Sequence, residues 1–142
     1  MDNKNETLVI NLRKLYEQYG YKKISLPTFE EYDLYSEYRN FIKSEKILTL
    51  MTPEGKLEAL RPDITLSVAK KVAKDKKAKS EKIYYVENIY RFSKMNGYKE
   101  KRQLGIELIG TETEFLNYEI TNLALKSLQE INQNYILAFS HV

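Results

Sequence analysis

The stretch KIYYVENIYRFSKMNGYKEKRQLGIELIG, Lys82 to Gly110, decides how this chain is read. Its opening, KIYYVENIYRF, is rich in β-branched and aromatic residues and reads as a strand. Its close, RQLGIELIG, reads as the antiparallel partner, and the polar segment between them makes a long hairpin. Arg91 ends the first apolar run and Glu107 sits inside the second.

Period-two geometry sorts this hairpin into faces. Ile83, Tyr85, Glu87, Ile89 and Arg91 share one side of the first strand; Gln103, Gly105, Glu107 and Ile109 share one side of the second. When both sets lie on the same side of the sheet, Arg91, Gln103 and Glu107 converge, with Glu87 nearby. A guanidinium grips a carboxylate or phosphate through a bidentate fork. A carboxylate and an amide oxygen accept hydrogen bonds from an ammonium, so the set offers what a free amino acid needs at both ends. The spacing is equally met by an Arg–Glu pair on a solvated sheet face, and both readings stand at this point.

Working outward, LRPDITLSVAKKVA places Asp63 where it caps a helix carrying Val68, Ala69, Val72 and Ala73 on its apolar face. Asp63 and Thr65 could instead offer oxygens to a ligand ammonium. ILTLM-TPEG-KLEAL reads as a second hairpin, turning at Pro53 and Gly55. Towards the N-terminus, Asn3-x-x-Glu6 resembles a capping box for a helix with Leu8, Leu12, Leu15 and Tyr19 on one face, stopped by Gly20. YKKISLP follows as a short strand. Towards the C-terminus, Thr111-x-x-Glu114 marks a helix with Leu116, Ile120, Leu123, Ala124 and Ile131 inward, and YILAFSHV reads as a final strand. The expected fold is α+β, an antiparallel sheet flanked by helices, within one domain spanning residues 1–142.

Composition narrows the chemistry. The 142 residues are 42% hydrophobic and 30% charged, with a net charge of +3. No apolar run is long enough to span a membrane, and no secretory signal opens the chain. With no cysteine, disulfides and thiolate metal sites are impossible, and a reducing cytoplasm is the simplest compartment. A single histidine, His141, rules out a multi-histidine metal site. There is no glycine-rich phosphate loop and no nucleophile with a base beside it; no cofactor, metal or catalytic residue is expected. Lysines cluster between Lys70 and Lys82 where a helix finishes, which suits its dipole, and no aromatics interleave them to stack bases. The charge alone does not argue for nucleic acid.

Several of these segments together resemble a known family. YGYKKISLPTFE, about residues 19–30, is similar to motif 1 of class II aminoacyl-tRNA synthetases, and IYRF with RQLGIELIG, about 83–110, to motif 2. The Gln-x-Gly-x-Glu ending looks like the histidyl branch. Arg61-Pro62-Asp63-x-Thr65 resembles a member of that branch, the regulatory subunit of ATP phosphoribosyltransferase, where histidyl-tRNA synthetases tend to have Glu after Arg-Pro. ILAFSHV is similar to the strand that follows in that subunit.

The resemblance implies a class II synthetase-like core fold and a site for a histidine-like amino acid. Arg91 would take the carboxylate; Asp63, Thr65, Gln103 and Glu107 would surround the ammonium. It implies a homodimer through motif 1, the catalytic subunit of ATP phosphoribosyltransferase as partner, and histidine as effector. Departures matter as much. Ser93 stands where synthetases place a glutamate near the adenine, and Glu87 stands where the family tends to have glycine, beside Arg91. Motif 3, with its ATP-binding arginine, and the anticodon-binding domain are absent from these residues, so the chain is expected to be an N-terminal portion. The reading is a non-catalytic regulatory subunit serving the first step of histidine biosynthesis. The alternatives are a catalytic-core fragment of a histidyl-tRNA synthetase, and a paralogue that keeps only dimerisation or nucleic-acid binding.

Overall fold

The computed structural model describes residues 3–38, 46–73, 80–110 and 113–138. In chain order the elements are α1 (Asn3–Gln18), β1 (Lys22–Lys23), β2 (Phe29–Glu31), α2 (Asp33–Glu37), β3 (Thr49–Met51), β4 (Leu57–Leu60), α3 (Thr65–Ala73), β5 (Ser80–Ser93), β6 (Gly97–Gly110) and α4 (Glu114–Ile131). The fold is α+β, as the sequence predicts. Two three-stranded sheets form, ordered β1-β5-β6 and β2-β4-β3. The second is wholly antiparallel, whereas β1 runs parallel to β5, Lys22 opposite Ile83. Residues group into two compact units, one of 1–23, 79–84 and 106–142, the other of 24–78 and 85–105.

In the first unit, α1 and α4 supply the helical walls. Leu12, Tyr16, Tyr21, Ile83, Tyr84 and Leu123 are buried. The Tyr16 and Tyr84 rings lie 5.9 Å apart in a tilted arrangement, and the Tyr16 hydroxyl meets Ser127 Oγ at 3.1 Å. Glu119 is buried here because Lys82 Nζ donates to it at 2.7 Å, which supplies the charge partner a buried carboxylate needs. The helix α4 starts one residue after Thr113, whose Oγ1 accepts from Leu116 N. Thr111, the cap expected from sequence, lies outside the described residues, as does the side chain of Asn3.

In the second unit, Tyr35, Ile47, Ala59 and Leu66 form a core cluster with Tyr32 and Leu34 packed against it. The predicted hairpin is present as β3 and β4, its turn closed by Gly55 N donating to Thr52 O and carried by Gly55 at φ 79°. Gly105 is required for a different reason: a Cβ there would lie 2.4 Å from the Tyr85 hydroxyl oxygen. Tyr85 therefore covers Gly105 on the shared face that period-two geometry predicts.

Four expectations are corrected. The strand expected over YKKISLP is only Lys22–Lys23, because beyond it side chains take the backbone groups: Leu26 N donates to Glu87 and Pro27 O accepts from Arg61. The segment Phe29–Glu31, not anticipated as a strand, pairs with β4 instead. On the helices, Ala69, Ala73 and Ile131 are exposed rather than inward; α3 buries Leu66, Ser67 and Val68, a face rotated from the expected one. Of the expected final strand, Tyr135–Ala138 carries no ladder and 139–142 lie outside the described residues. An apolar run needs a neighbouring edge before it is a strand.

Candidate functional site

The predicted site is built around residues 61–63, which leave β4 and lead into α3. Asp63 caps α3 as expected, with Oδ1 accepting from Leu66 N at 3.2 Å. Its other oxygen, Oδ2, stands 3.4 Å from Arg91 Nη2, and Arg91 Nε donates to the Pro62 carbonyl at 2.7 Å. The Arg91 side chain is 45% exposed and that of Asp63 20%. The structure thus brings Arg91 and Asp63 together at the surface, a guanidinium beside a carboxylate. Gln103 Nε2 donates to the Tyr85 hydroxyl at 3.2 Å in the same unit. Thr65 opens α3 and is exposed. Glu107 lies on β6 in the first unit.

Glu87 does not stand beside Arg91. It shares Arg91's face of the strand by sequence spacing, but its carboxylate is taken by Arg61, whose Nη2 lies 3.1 Å from Oε2. Arg61 is only 1% exposed. Its Nη1 donates to Pro27 O at 2.7 Å, and its Nε and Nη2 donate to Asn88 O at 3.2 and 2.8 Å. Four hydrogen bonds satisfy the charge that burial would otherwise make costly. Sequence reasoning gave Arg61 no role. One signal was present: a glutamate within the apolar stretch of a strand demands a cation, and an arginine two residues before a helix cap was available to supply it.

A second polar network was also missed. Tyr35 and Ser67 both donate to Glu30 Oε2, the serine at 2.6 Å. Burial holds the Tyr35 phenol neutral, pushing its pKa well above the ordinary value, and the hydrogen bond to the Glu30 carboxylate adds to the shift. Beside this network is a cavity of about 310 Å³ lined chiefly by Leu26, Pro27, Phe29, Glu30 and Ser67. None of the five candidate residues lines it. Among the described residues no cluster of histidine, cysteine, aspartate or glutamate could hold a metal ion, and no helix is long and apolar enough to cross a membrane.

The pair sets a cation beside an anion at the surface, charges complementary to those of a zwitterion. A ligand carboxylate on Arg91 and a ligand ammonium on Asp63 would replace an ion pair the protein already makes with itself. A ligand carrying only one charge would leave one partner without its counter-ion.

Comparison with known proteins places these features. The profile of the family described as Histidyl-tRNA synthetase matches residues 2–142. A histidine–tRNA ligase of Methanococcus maripaludis is 33% identical over 98% of this chain and 34% of its own length. An ATP phosphoribosyltransferase regulatory subunit of Acetivibrio thermocellus is 30% identical over 83% of this chain and 29% of its own length. The crystal structure of an ATP phosphoribosyltransferase regulatory subunit/histidyl-tRNA synthetase from Bacillus halodurans superposes with a TM-score of 0.78 at 28% identity, over 89% of this chain and 33% of that one. The chain spans about a third of the length of the curated relatives it matches. Relatives thus carry both names, and the α+β fold with its antiparallel strands and helices is that of a class II synthetase core, of which these residues cover a part. This chain belongs to the histidyl-tRNA synthetase family.

Proposed function

We propose that this chain is the N-terminal portion of a non-catalytic regulatory subunit of ATP phosphoribosyltransferase, acting in the first step of histidine biosynthesis and its feedback control. The observation that carries this reading is Ser93. It ends β5, two residues beyond Arg91, and accepts a turn hydrogen bond from Asn96 through its carbonyl. A hydroxyl there replaces the carboxylate that the synthetases it resembles set near the adenine. Asp63 after Arg61-Pro62 supports the same side. The purified chain is therefore expected to give no histidine-dependent exchange of pyrophosphate into ATP; measurable exchange would favour the second reading, a histidyl-tRNA synthetase fragment. That alternative is kept because the archaeal ligase matches more of the chain, 98% against 83%, at similar identity.

In this reading residues 1–142 are part of one class II synthetase-like core domain, working in the cytoplasm. The partner is the catalytic subunit of the phosphoribosyltransferase. Histidine is the effector, and it regulates only by binding two states of the assembly with different affinity. Arg91 takes its carboxylate, with Asp63, Thr65, Gln103 and Glu107 as the acceptor set. The segment Tyr19 to Glu30, with Phe29 half exposed, forms a two-fold interface between copies. Sedimentation of the purified chain is expected to show a dimer whose population rises with concentration. A monomer at every concentration would remove this part of the proposal.

The site lies partly open, so each contact competes with water and contributes only about 0.5–1.5 kcal/mol net. Two or three such contacts, set against immobilising the ligand, give a dissociation constant of order millimolar or weaker. Arg91→Ala is expected to alter folding stability by less than about 1 kcal/mol, as for other exposed pairs. A micromolar constant by calorimetry, abolished by Arg91→Ala, would show that this portion suffices as a complete site.

A further inference from the structure

We propose that Arg61 and Glu87 are positioning residues: out of a ligand's reach, they set the geometry in which Arg91 and Asp63 meet one. The proposal rests on the amino-acid site described above. Arg61 is too buried to touch a ligand, yet it joins β5, the strand that carries Arg91, to the segment that carries Asp63. From one side, Arg61 N donates to Thr28 O at 2.9 Å and Nη1 to Pro27 O. From the other, Tyr90 N donates to Arg61 O at 2.9 Å, and Arg61 Nη2 reaches both Glu87 and Asn88 O. Glu87 Oε1 in turn accepts from Leu26 N at 3.3 Å, so one carboxylate ties residue 26 to residue 61.

The next residue along is Pro62, whose carbonyl orients Arg91 through Nε, and after it Asp63, which meets Arg91 Nη2. The same β5 strand therefore grips the 61–63 segment at four residues, Glu87, Asn88 and Tyr90 on Arg61 and Arg91 on Pro62 and Asp63. Of these groups Glu87 alone carries a charge opposite to that of Arg61, so without its carboxylate the hold on Arg61 slackens and the Arg91 guanidinium loses its fixed plane. Fixed planes matter because the bidentate grip on a carboxylate depends on the direction of the fork. Glu87→Gln weakens the hold without removing volume. Glutamine keeps one acceptor oxygen but offers an N–H donor where the second carboxylate oxygen was, so it cannot accept from both Leu26 N and Arg61.

The test is hydrogen exchange at the Arg91 Nε–H, followed by nitrogen-15 NMR on the whole chain without ligand and assigned by its absence from the Arg91→Lys spectrum. A hydrogen bond to Pro62 O is expected to slow this exchange up to about tenfold relative to the exposed Arg102. In Glu87→Gln that protection should be lost, while the amides of Ala59 and Val68, buried in the same unit, keep theirs. Arg61→Lys should behave alike; if it does not fold, Glu87→Gln decides alone. An Arg91 signal unchanged in Glu87→Gln, or lost together with the Ala59 and Val68 protection, overturns the positioning role. So does a wild-type Arg91 Nε–H that exchanges as fast as that of Arg102. Histidine titrated into the same wild-type sample to about 100 mM, well above the expected millimolar constant, separates the two claims: an Arg91 signal that does not move removes the ligand reading and leaves the exchange result standing.

Discussion

Replacing Arg61 with methionine is expected to destabilise the chain by about 3–5 kcal/mol, the usual cost of removing one partner of a buried ion pair. The loss falls on several groups at once. Glu87, 17% exposed, would lose the cation beside it, and the carbonyls of Pro27 and Asn88 would lose their donors. Urea denaturation of the variant and wild type measures the difference. Removing Glu87 as well, in an Arg61→Met and Glu87→Met double variant, should recover part of the stability, because the stranded carboxylate is then gone. A loss below about 1 kcal/mol for Arg61→Met would mean that this guanidinium is not buried and bonded as described.

Alkaline pH is expected to unfold the chain cooperatively, starting above pH 10 and approaching completion near pH 12. An unfolded tyrosine titrates near pH 10, whereas Tyr21 is pushed up to about 12, mainly by burial and further by the neighbouring Glu119 carboxylate. Tyr35 is raised further still by burial and by Glu30, and burial also raises Tyr16. A group whose folded pKa is raised holds its proton longer in the native state. Its stabilisation is complete below the unfolded value, near pH 10, and disappears as pH climbs through the folded value. Each phenol kept neutral while its unfolded counterpart ionises costs about 1.4 kcal/mol per pH unit. Two such groups over two units are comparable with the whole stability of a small domain, about 5–15 kcal/mol. Far-ultraviolet circular dichroism should therefore be lost in one steep step, together with the last part of the rise in tyrosinate absorbance that the buried phenols contribute. Tyr21→Phe should make the decline above pH 10 shallower. Independent titration of all tyrosines near pH 10, without loss of secondary structure, would contradict the burial of these phenols.

Local chemistry was legible in the sequence where a few neighbouring residues decide the outcome. The turn at Pro53 and Gly55, the Asp63 cap of α3 and the long β5–β6 hairpin all follow from short-range preferences of backbone and side chain. So does the presence of Tyr85, Gln103 and Gly105 on one face, since alternation along a strand is a property of the strand itself. The motif around Arg91 was likewise readable, whereas its meeting with Asp63, 28 positions away, was not. Whether they bind an amino acid is a separate question for the titration above.

Partnerships between distant segments were not legible. Glu87 is 26 positions from Arg61, and nothing local says that it turns to that arginine rather than to Arg91, four residues along its own strand. The choice follows from burial: a guanidinium sealed from water needs a counter-charge far more than one at the surface, so the buried arginine takes the carboxylate. The same competition ended the strand after Lys23, where side chains from other segments claimed the backbone of Leu26 and Pro27. It also settled which apolar runs became strands: Phe29–Glu31 found the free edge of β4, while Tyr135–Ala138, though richer in apolar residues, pairs with no strand among the described residues. Periodicity sets what a segment can become, and the availability of an edge or a counter-charge in space sets what it does become.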